Sequence, residues 1–304
     1  MQTTPTRKLR IAAIQYLNPA PLMWDFEHDP EQERLAELYT IHSMLPAQCA
    51  DALASGRADI GLTPATAYAA HPGLAILPGC AIASRDAVRS ILLVMRAEMD
   101  IRELRRVTLD PASRSSNAYA QIILQRFHGV RTEYVLRSGP SGANPAAAVN
   151  VDDLLRDSDA AVLIGDPALR LMQAREGIHL VSATQPHCVD LALEWRVWTG
   201  LPWVSAFWAV RPEAIAASGR KSSDVISDFV RSRDHGLEHL NEITAEWAPR
   251  LADAPAIPPE AIEAYLRQNI HYILDDACRA GLECFYRYAA EMKILPEAPR
   301  LQFL

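Results

Sequence analysis

The sequence has no run of about 18 consecutive apolar residues, so nothing in it reads as a membrane-spanning helix. Arg7, Lys8 and Arg10 resemble the positive start of an export signal. The apolar run behind them, Ile11 to Ile14, is far shorter than the roughly 7–15 residues such a signal needs. No lipoprotein-type cysteine follows, and the expected location is cytoplasmic. Cysteine is sparse: Cys49, Cys80, Cys188, Cys278 and Cys284 form an odd, scattered set. Cys278 and Cys284 do not make a zinc spacing, and reduced structural thiols are expected. There is no excess of positive charge either. Lys plus Arg is 30 against 37 Asp plus Glu, a net charge of −7. That argues against a nucleic-acid partner, which usually meets a basic face. It leaves an anionic small ligand open, because a pocket needs only a few local donors.

Several chemical signatures are missing as well. Without a Gly-x-Gly-x-x-Gly or Walker sequence, nucleotide cofactors have no support. Without a Gly-x-Ser-x-Gly elbow, a hydrolase triad has little. His235 and His239 share one helix face, but Gly236 stands where the metalloprotease motif requires Glu. A solvated helix face is the expected reading there, and no metal site is predicted.

What is present is a chain of 304 residues, 49% hydrophobic. At roughly 150 residues per domain, that suggests two domains with real cores. Short apolar strands alternate with helical patterns. Strands are predicted at 10–16, 58–62, 75–83, 90–95, 107–109, 133–136, 160–164, 178–181 and 204–210. Helices are predicted at 46–55, ended by Gly56, and from 63, 117–128, 152–156 and 167–175. The segment 29–38 reads as loop or helix. From Pro212 onward the pattern is helical, over 222–243, 259–269 and 272–292. The segment 137–150, rich in Gly, Pro, Ala and Ser, reads as a surface loop, because strand–helix alternation resumes after it.

Such alternation implies an α/β fold with mainly parallel sheets. The charged stretch Arg96–Arg106 separates two strand sets. The order suits a discontinuous first domain, 1–96 plus 205–304, with 97–204 inserted. Ligands in such folds sit at strand carboxyl ends, in the cleft between domains.

Candidate site residues follow from that rule. Tyr16 and Asn18 end the first strand, and Asn18 offers both a donor and an acceptor. An Asn-Pro turn is the plainer alternative. Ser113, Arg114, Ser115 and Ser116 precede a helix, where free N–H groups and hydroxyls make a natural carboxylate or phosphate site. Arg114 adds a possible fork. Ser115 or Ser116 is expected to cap the helix in any case. Gly165 permits close backbone approach behind its strand, and Asp166 reads first as a helix cap. Ser84 lies in the segment that opens the fourth strand and Ser90 begins that strand, near a presumed domain crossing, where a lone serine is more often structural. Trp195, Trp198, Trp203 and Trp208 lie near strand ends, with core packing the default.

Taken in order, YLN-x-x-P, ADIGLTP, ASRDAVRSILLV, LDPASRSSNAYAQIIL, DAAVLIGDPAL and LEWRVWTGLPWVSAFWAV closely resemble the chorismate dehydratase family of the futalosine route to menaquinone. The resemblance covers roughly residues 9–212. It implies the two-domain, type II periplasmic-binding-protein-like fold, used as a cytoplasmic enzyme. The implied reaction dehydrates chorismate to 3-[(1-carboxyvinyl)oxy]benzoate, with no metal or organic cofactor. It implies Asn18 and Ser90 closest to the chemistry, and Ser113, Ser115, Ser116 and adjacent amides on a carboxylate. Gly165 and Asp166 would line the opposite wall, and Tyr16, Ser84 and Arg114 complete the substrate-binding set. Ser115 stands where the family usually carries Thr, and the loop 138–150 looks like an insertion. Two alternatives use the same fold. One is a solute-binding or sensing protein. The other is the sister enzyme making 1,4-dihydroxy-6-naphthoate, whose N-terminal Ser-Pro-Cys-Pro-Asn-type motif is absent.

Overall fold

The computed structural model describes residues 7–97, 99–137, 150–177, 186–253 and 256–304. The predicted strand at 178–181 and nearly all of the loop 137–150 lie outside them.

Two five-stranded sheets carry the chain. The first runs β2 (Tyr39–Met44), β1 (Leu9–Ile14), β3 (Ile60–Pro64), β10 (Trp203–Val210) and β4 (Ala75–Ser84). The second runs β7 (Glu133–Leu136), β6 (Arg106–Leu109), β8 (Ala160–Ile164), β5 (Ile91–Met95) and β9 (His187–Asp190). Both are mixed rather than mainly parallel. In the first, β1 pairs parallel to β2 and β3, and β10 is antiparallel to β3 and β4. In the second, β6 pairs parallel to β7 and β8, and β5 is antiparallel to β8 and β9. The reason lies in the connections. Residues 85–90 carry the chain from β4 into β5, and a helix carries it from β9 into β10. A strand arriving from the other lobe enters at the carboxyl ends of the parallel strands and must run back along them.

This also corrects the expected boundary at 96. All five residues of β5 pair with β8. Ile91–Met95 therefore belongs to the second sheet, and the chain crosses between the sheets at 85–90.

The helices that matter below are α1 (Pro46–Ala54), α2 (Ala65–Ala69), α3 (Arg114–Ile122), α4 (Asp166–Gly177) and α5 (Leu191–Thr199). They continue with α6 (Ser222–Glu238), α7 (Leu240–Trp247), α8 (Pro259–Ala264) and α9 (Asp276–Glu291). Proline at the first position suits α1, where its missing N–H is no loss. Helices α3 and α8 each run on into a π-helical turn, Ile123–Phe127 and Tyr265–Asn269. The helix expected over 222–243 breaks at His239. The helix expected from 272 starts at Asp276, where the Asp275 carboxylate accepts the Cys278 N–H at 2.8 Å.

A single large cluster of buried apolar side chains draws on both sheets. Trp195, Trp203 and Trp208 are fully buried in it, and Trp198 is half exposed. Tyr119 stacks between Trp203 and Phe285, with ring centroids 3.7 and 4.0 Å away. The five cysteines are free thiols. The face carrying His235 and His239 is packed rather than solvated. His235 Nδ1 lies 2.7 Å from Asp25 Oδ1, His239 stacks on Trp24, and Gly236 sits against the Pro21 backbone. No helix among the described residues is long and apolar enough to cross a membrane.

Candidate active site

The carboxyl ends of the parallel strands β1, β3, β6 and β8 converge on one cavity, as expected for open α/β sheets. It encloses about 490 Å³ of empty space, its solvent-open part included. Ile14, Pro46, Pro64, Ile82, Ile91, Ile164 and Ala206 supply the apolar lining. The polar lining is Tyr16, Asn18, Ser90, Ser113, Ser115, Ser116 and Ser205, and none of these side chains is a carboxylate or a cation.

The structure thus brings Tyr16, Asn18, Ser90, the three serines of the α3 start and Gly165 into one cavity. Gly165 has φ +72°, and a Cβ there would lie 3.0 Å from Tyr16 Cε1 and Cζ. Glycine is required both by the left-handed backbone and by that approach. The Tyr16 hydroxyl and Asn18 Oδ1 are buried with no hydrogen-bond partner among the described residues. Burial, reinforced by the Asp110 and Asp166 carboxylates, pushes the Tyr16 phenol well above its ordinary pKa, so it stays a donor.

Three predicted residues do other work. Ser84 Oγ closes a local turn, donating to the Asp86 carbonyl at 2.7 Å. Arg114 points away to Asp51, 2.7 Å from its Oδ1, with both side chains about half exposed. Asp166 is fully buried, and its Oδ1 accepts the Leu17 N–H across the cleft at 3.1 Å. Burial pushes the Asp166 carboxyl up to about 7, outweighing the Leu17 amide and Arg170.

The expected capping role at α3 is also corrected. The helix begins at Arg114, so Ser115 and Ser116 lie inside its first turn, and the N-cap Ser113 makes no side-chain cap. Ser115 Oγ instead accepts the Thr66 N–H at 3.1 Å and lies 3.2 Å from Thr66 Oγ1, bridging α3 to α2. The first-turn N–H groups of α3 still lack intrahelical partners and present a positive helix end.

Ser205, Thr66 and Tyr265 escaped the sequence reading. Ser205 sits at a register shift between Val204 and Ala206 in the β10–β4 pairing, and such bulges re-aim side chains beside active sites. Tyr265 donates its hydroxyl to Ser90 Oγ at 2.8 Å. The crossing that leads to Ser90 is fastened at Asp190. Its carboxylate accepts from Val88 and Arg89 N–H on one crossing and from Ala192 and Leu193 N–H at the start of α5 on the other. Burial dominates there too and raises the Asp190 carboxyl above its usual range despite those four amides.

A family model described as menaquinone biosynthesis matches residues 9–291. A chorismate dehydratase from Thermus thermophilus is 28% identical over 293 residues, 94% of this chain and 95% of that protein. Among solved structures, a protein from Archaeoglobus fulgidus superposes with a TM-score of 0.67 at 16% identity, covering 94% of this chain and 98% of that one. The alkanesulfonate-binding protein of Xanthomonas axonopodis pv. citri gives 0.66 at 16% identity over 98% of each chain. The periplasmic aliphatic sulphonate-binding protein of Escherichia coli gives 0.63 at 16%, covering 99% and 94%. These likenesses establish the two-domain α/β fold of periplasmic solute-binding proteins.

Proposed function

The chain belongs to the menaquinone biosynthesis family, and from that membership we propose that it is a cytoplasmic chorismate dehydratase, a hydro-lyase making 3-[(1-carboxyvinyl)oxy]benzoate and water. The Thermus thermophilus relative bears that name over almost the whole chain. The observation that carries the reading to the site is the neutral cavity, with the unpartnered Tyr16 hydroxyl and Asn18 Oδ1 in its wall.

The chemistry suits such a wall. The ring C3–H bond breaks, the C4–O bond breaks, and the leaving hydroxyl departs as water. The electron pair from C3–H becomes ring π density, and the product ring is aromatic. What remains for the protein is orientation, carboxylate anchoring and help for the leaving oxygen. Asn18 and Ser90 hydrogen-bond the reacting part of the substrate. Ser113, Ser116 and the α3 amides hold a carboxylate at the helix start. With no carboxylate or imidazole in the lining among the described residues, the substrate's enolpyruvyl carboxylate takes the C3 proton and passes it to the departing C4 hydroxyl, which leaves as water. The lobe built from both chain ends and the inserted lobe close over the substrate and exclude water.

The test is incubation of the purified protein with chorismate, followed by ultraviolet absorbance and mass spectrometry. Chorismate should disappear as the dehydrated aromatic product forms. Asn18→Ala and Ser90→Ala should each lower turnover about 10²-fold, the scale of losing one oriented donor. Wild-type turnover in both variants would overturn the site assignment. Tight binding of another ligand with no loss of chorismate would favour a solute-binding role.

A further inference from the structure

We propose that Tyr265 is a positioning residue that fixes the Ser90 hydroxyl as a hydrogen-bond donor into the cavity. The inference rests on the reading of Ser90 just given and deepens it.

Ser90 is held at unusual precision. The residue before it, Arg89, has φ +64°, a left-handed conformation that a non-glycine residue adopts only when its surroundings impose it. Those surroundings are visible. The Asp190 carboxylate accepts the Val88 and Arg89 N–H groups, and the Ser90 carbonyl accepts the Gly165 N–H at 2.8 Å. The backbone is thus fixed from two points of the inserted lobe, the ends of β9 and β8. It does not fix the hydroxyl, which can rotate and can donate once and accept twice.

Tyr265 removes that freedom. Its ring is 2% exposed, and its O–H donates to Ser90 Oγ at 2.8 Å. Burial holds the phenol far above its ordinary pKa, so Tyr265 keeps a proton to donate along that bond. A serine oxygen that accepts from one side must aim its own proton elsewhere, and the open side is the cavity shared with Tyr16 and Asn18. Accepting that bond also polarises Ser90 and makes it a stronger donor. The outcome is a short chain, Tyr265 to Ser90 to a substrate oxygen. For the dehydration above, that oxygen is the leaving C4 hydroxyl.

The local backbone supports a dedicated device. Tyr265 opens the π-helical turn Tyr265–Asn269, a rare geometry that recurs at functional sites. Asn269, at the other end of the turn, donates from Nδ2 to the Ala87 carbonyl at 2.9 Å. One turn therefore grips both the crossing that carries Ser90 and the Ser90 side chain.

The test is steady-state kinetics on chorismate for wild type, Ser90→Ala, Tyr265→Phe and the double variant, with thermal unfolding alongside. Tyr265→Phe should lower kcat about tenfold or more while KM stays within about threefold, because the bond acts on the reacting oxygen rather than on ground-state binding. Added to Ser90→Ala it should cost no more than about twofold, since its only route to the chemistry is gone. Wild-type kcat in Tyr265→Phe with Ser90→Ala impaired would overturn this inference and leave the functional reading intact. A full loss on the Ser90→Ala background would also overturn it, showing a merely structural role. Wild-type turnover in Ser90→Ala would overturn this inference together with the role given to Ser90, and would leave the dehydratase reading intact. If the Phe variant does not fold, 3-fluorotyrosine at 265 keeps the ring and strengthens the donor. A kcat change of about twofold or more is then expected, and an unchanged kcat overturns the proposal.

Discussion

The cavity has two hydroxyl-bearing walls, and they spend their hydrogen bonds differently. At the start of α3, Ser115 is engaged with Thr66, and its neighbour Arg114 with Asp51. Those bonds run between the lobes. On the wall formed by the ends of β1 and the 85–90 crossing, the Tyr16 hydroxyl and Asn18 Oδ1 have no partner among the described residues, and Ser90 still has a proton to give. A buried polar atom left unpaired costs about 1–3 kcal/mol, so such atoms persist where a ligand completes them. The contrast separates residues that bridge the lobes from residues that meet the substrate, although all of them follow apolar strands in the same way.

The sharpest way to break that distinction is to disturb the reacting wall from behind. Gly165→Ala forces a side chain into a left-handed backbone position, which costs roughly 1–2 kcal/mol. It also puts a Cβ against the Tyr16 ring, displacing the unpaired hydroxyl. Turnover should fall about 10- to 100-fold, as small misplacements of positioned groups do. Thermal unfolding should drop by a few degrees. Unchanged kcat in a folded variant would mean that the placement of Tyr16 does not matter.

The same two walls show what the sequence could and could not carry. Asn18, Gly165 and the α3 serines were legible because each follows an apolar strand, and ligands collect at strand carboxyl ends. Strand β5 was legible as a strand but not as a member of either sheet. All five residues are buried, so no exposed face marks its partners. Strands β2 and β9 were missed because each carries polar residues at a sheet edge, with His42 and Ser43 in one and His187 in the other. Ser205 was hidden by a bulge that ordinary alternation does not announce. Tyr265 lies 175 residues from Ser90 in the chain, and no local pattern joins them.

A smaller effect should sharpen the comparison through Asp166, which ties the inserted lobe to the Leu17 amide. Its carboxyl is raised from 3.8 to about 7 by burial. The folded chain therefore keeps a proton that the unfolded chain releases across that interval. Stability from this group is fully present below about pH 4 and is lost as pH rises towards 7. Asp166→Asn keeps an acceptor for Leu17 and abolishes the titration. Between pH 5 and pH 8 the wild type should lose more stability than the variant, by an amount on the order of 1 kcal/mol or more. Parallel pH profiles in denaturant unfolding would show that Asp166 does not titrate in this range.

The least effect belongs to the residue that sequence reasoning weighted more heavily than the structure does. Arg114 carries a positive charge beside a site expected to take a carboxylate, yet its guanidinium lies on Asp51 with both partners about half exposed. An exposed pair of this kind contributes about 0–1 kcal/mol, and salt weakens it further. If the helix start and its hydroxyls hold the carboxylate, Arg114→Gln should leave both kcat and KM within about twofold. A tenfold rise in KM at unchanged kcat would show the opposite. The arginine would then leave Asp51 and join the helix start in binding the substrate carboxylate.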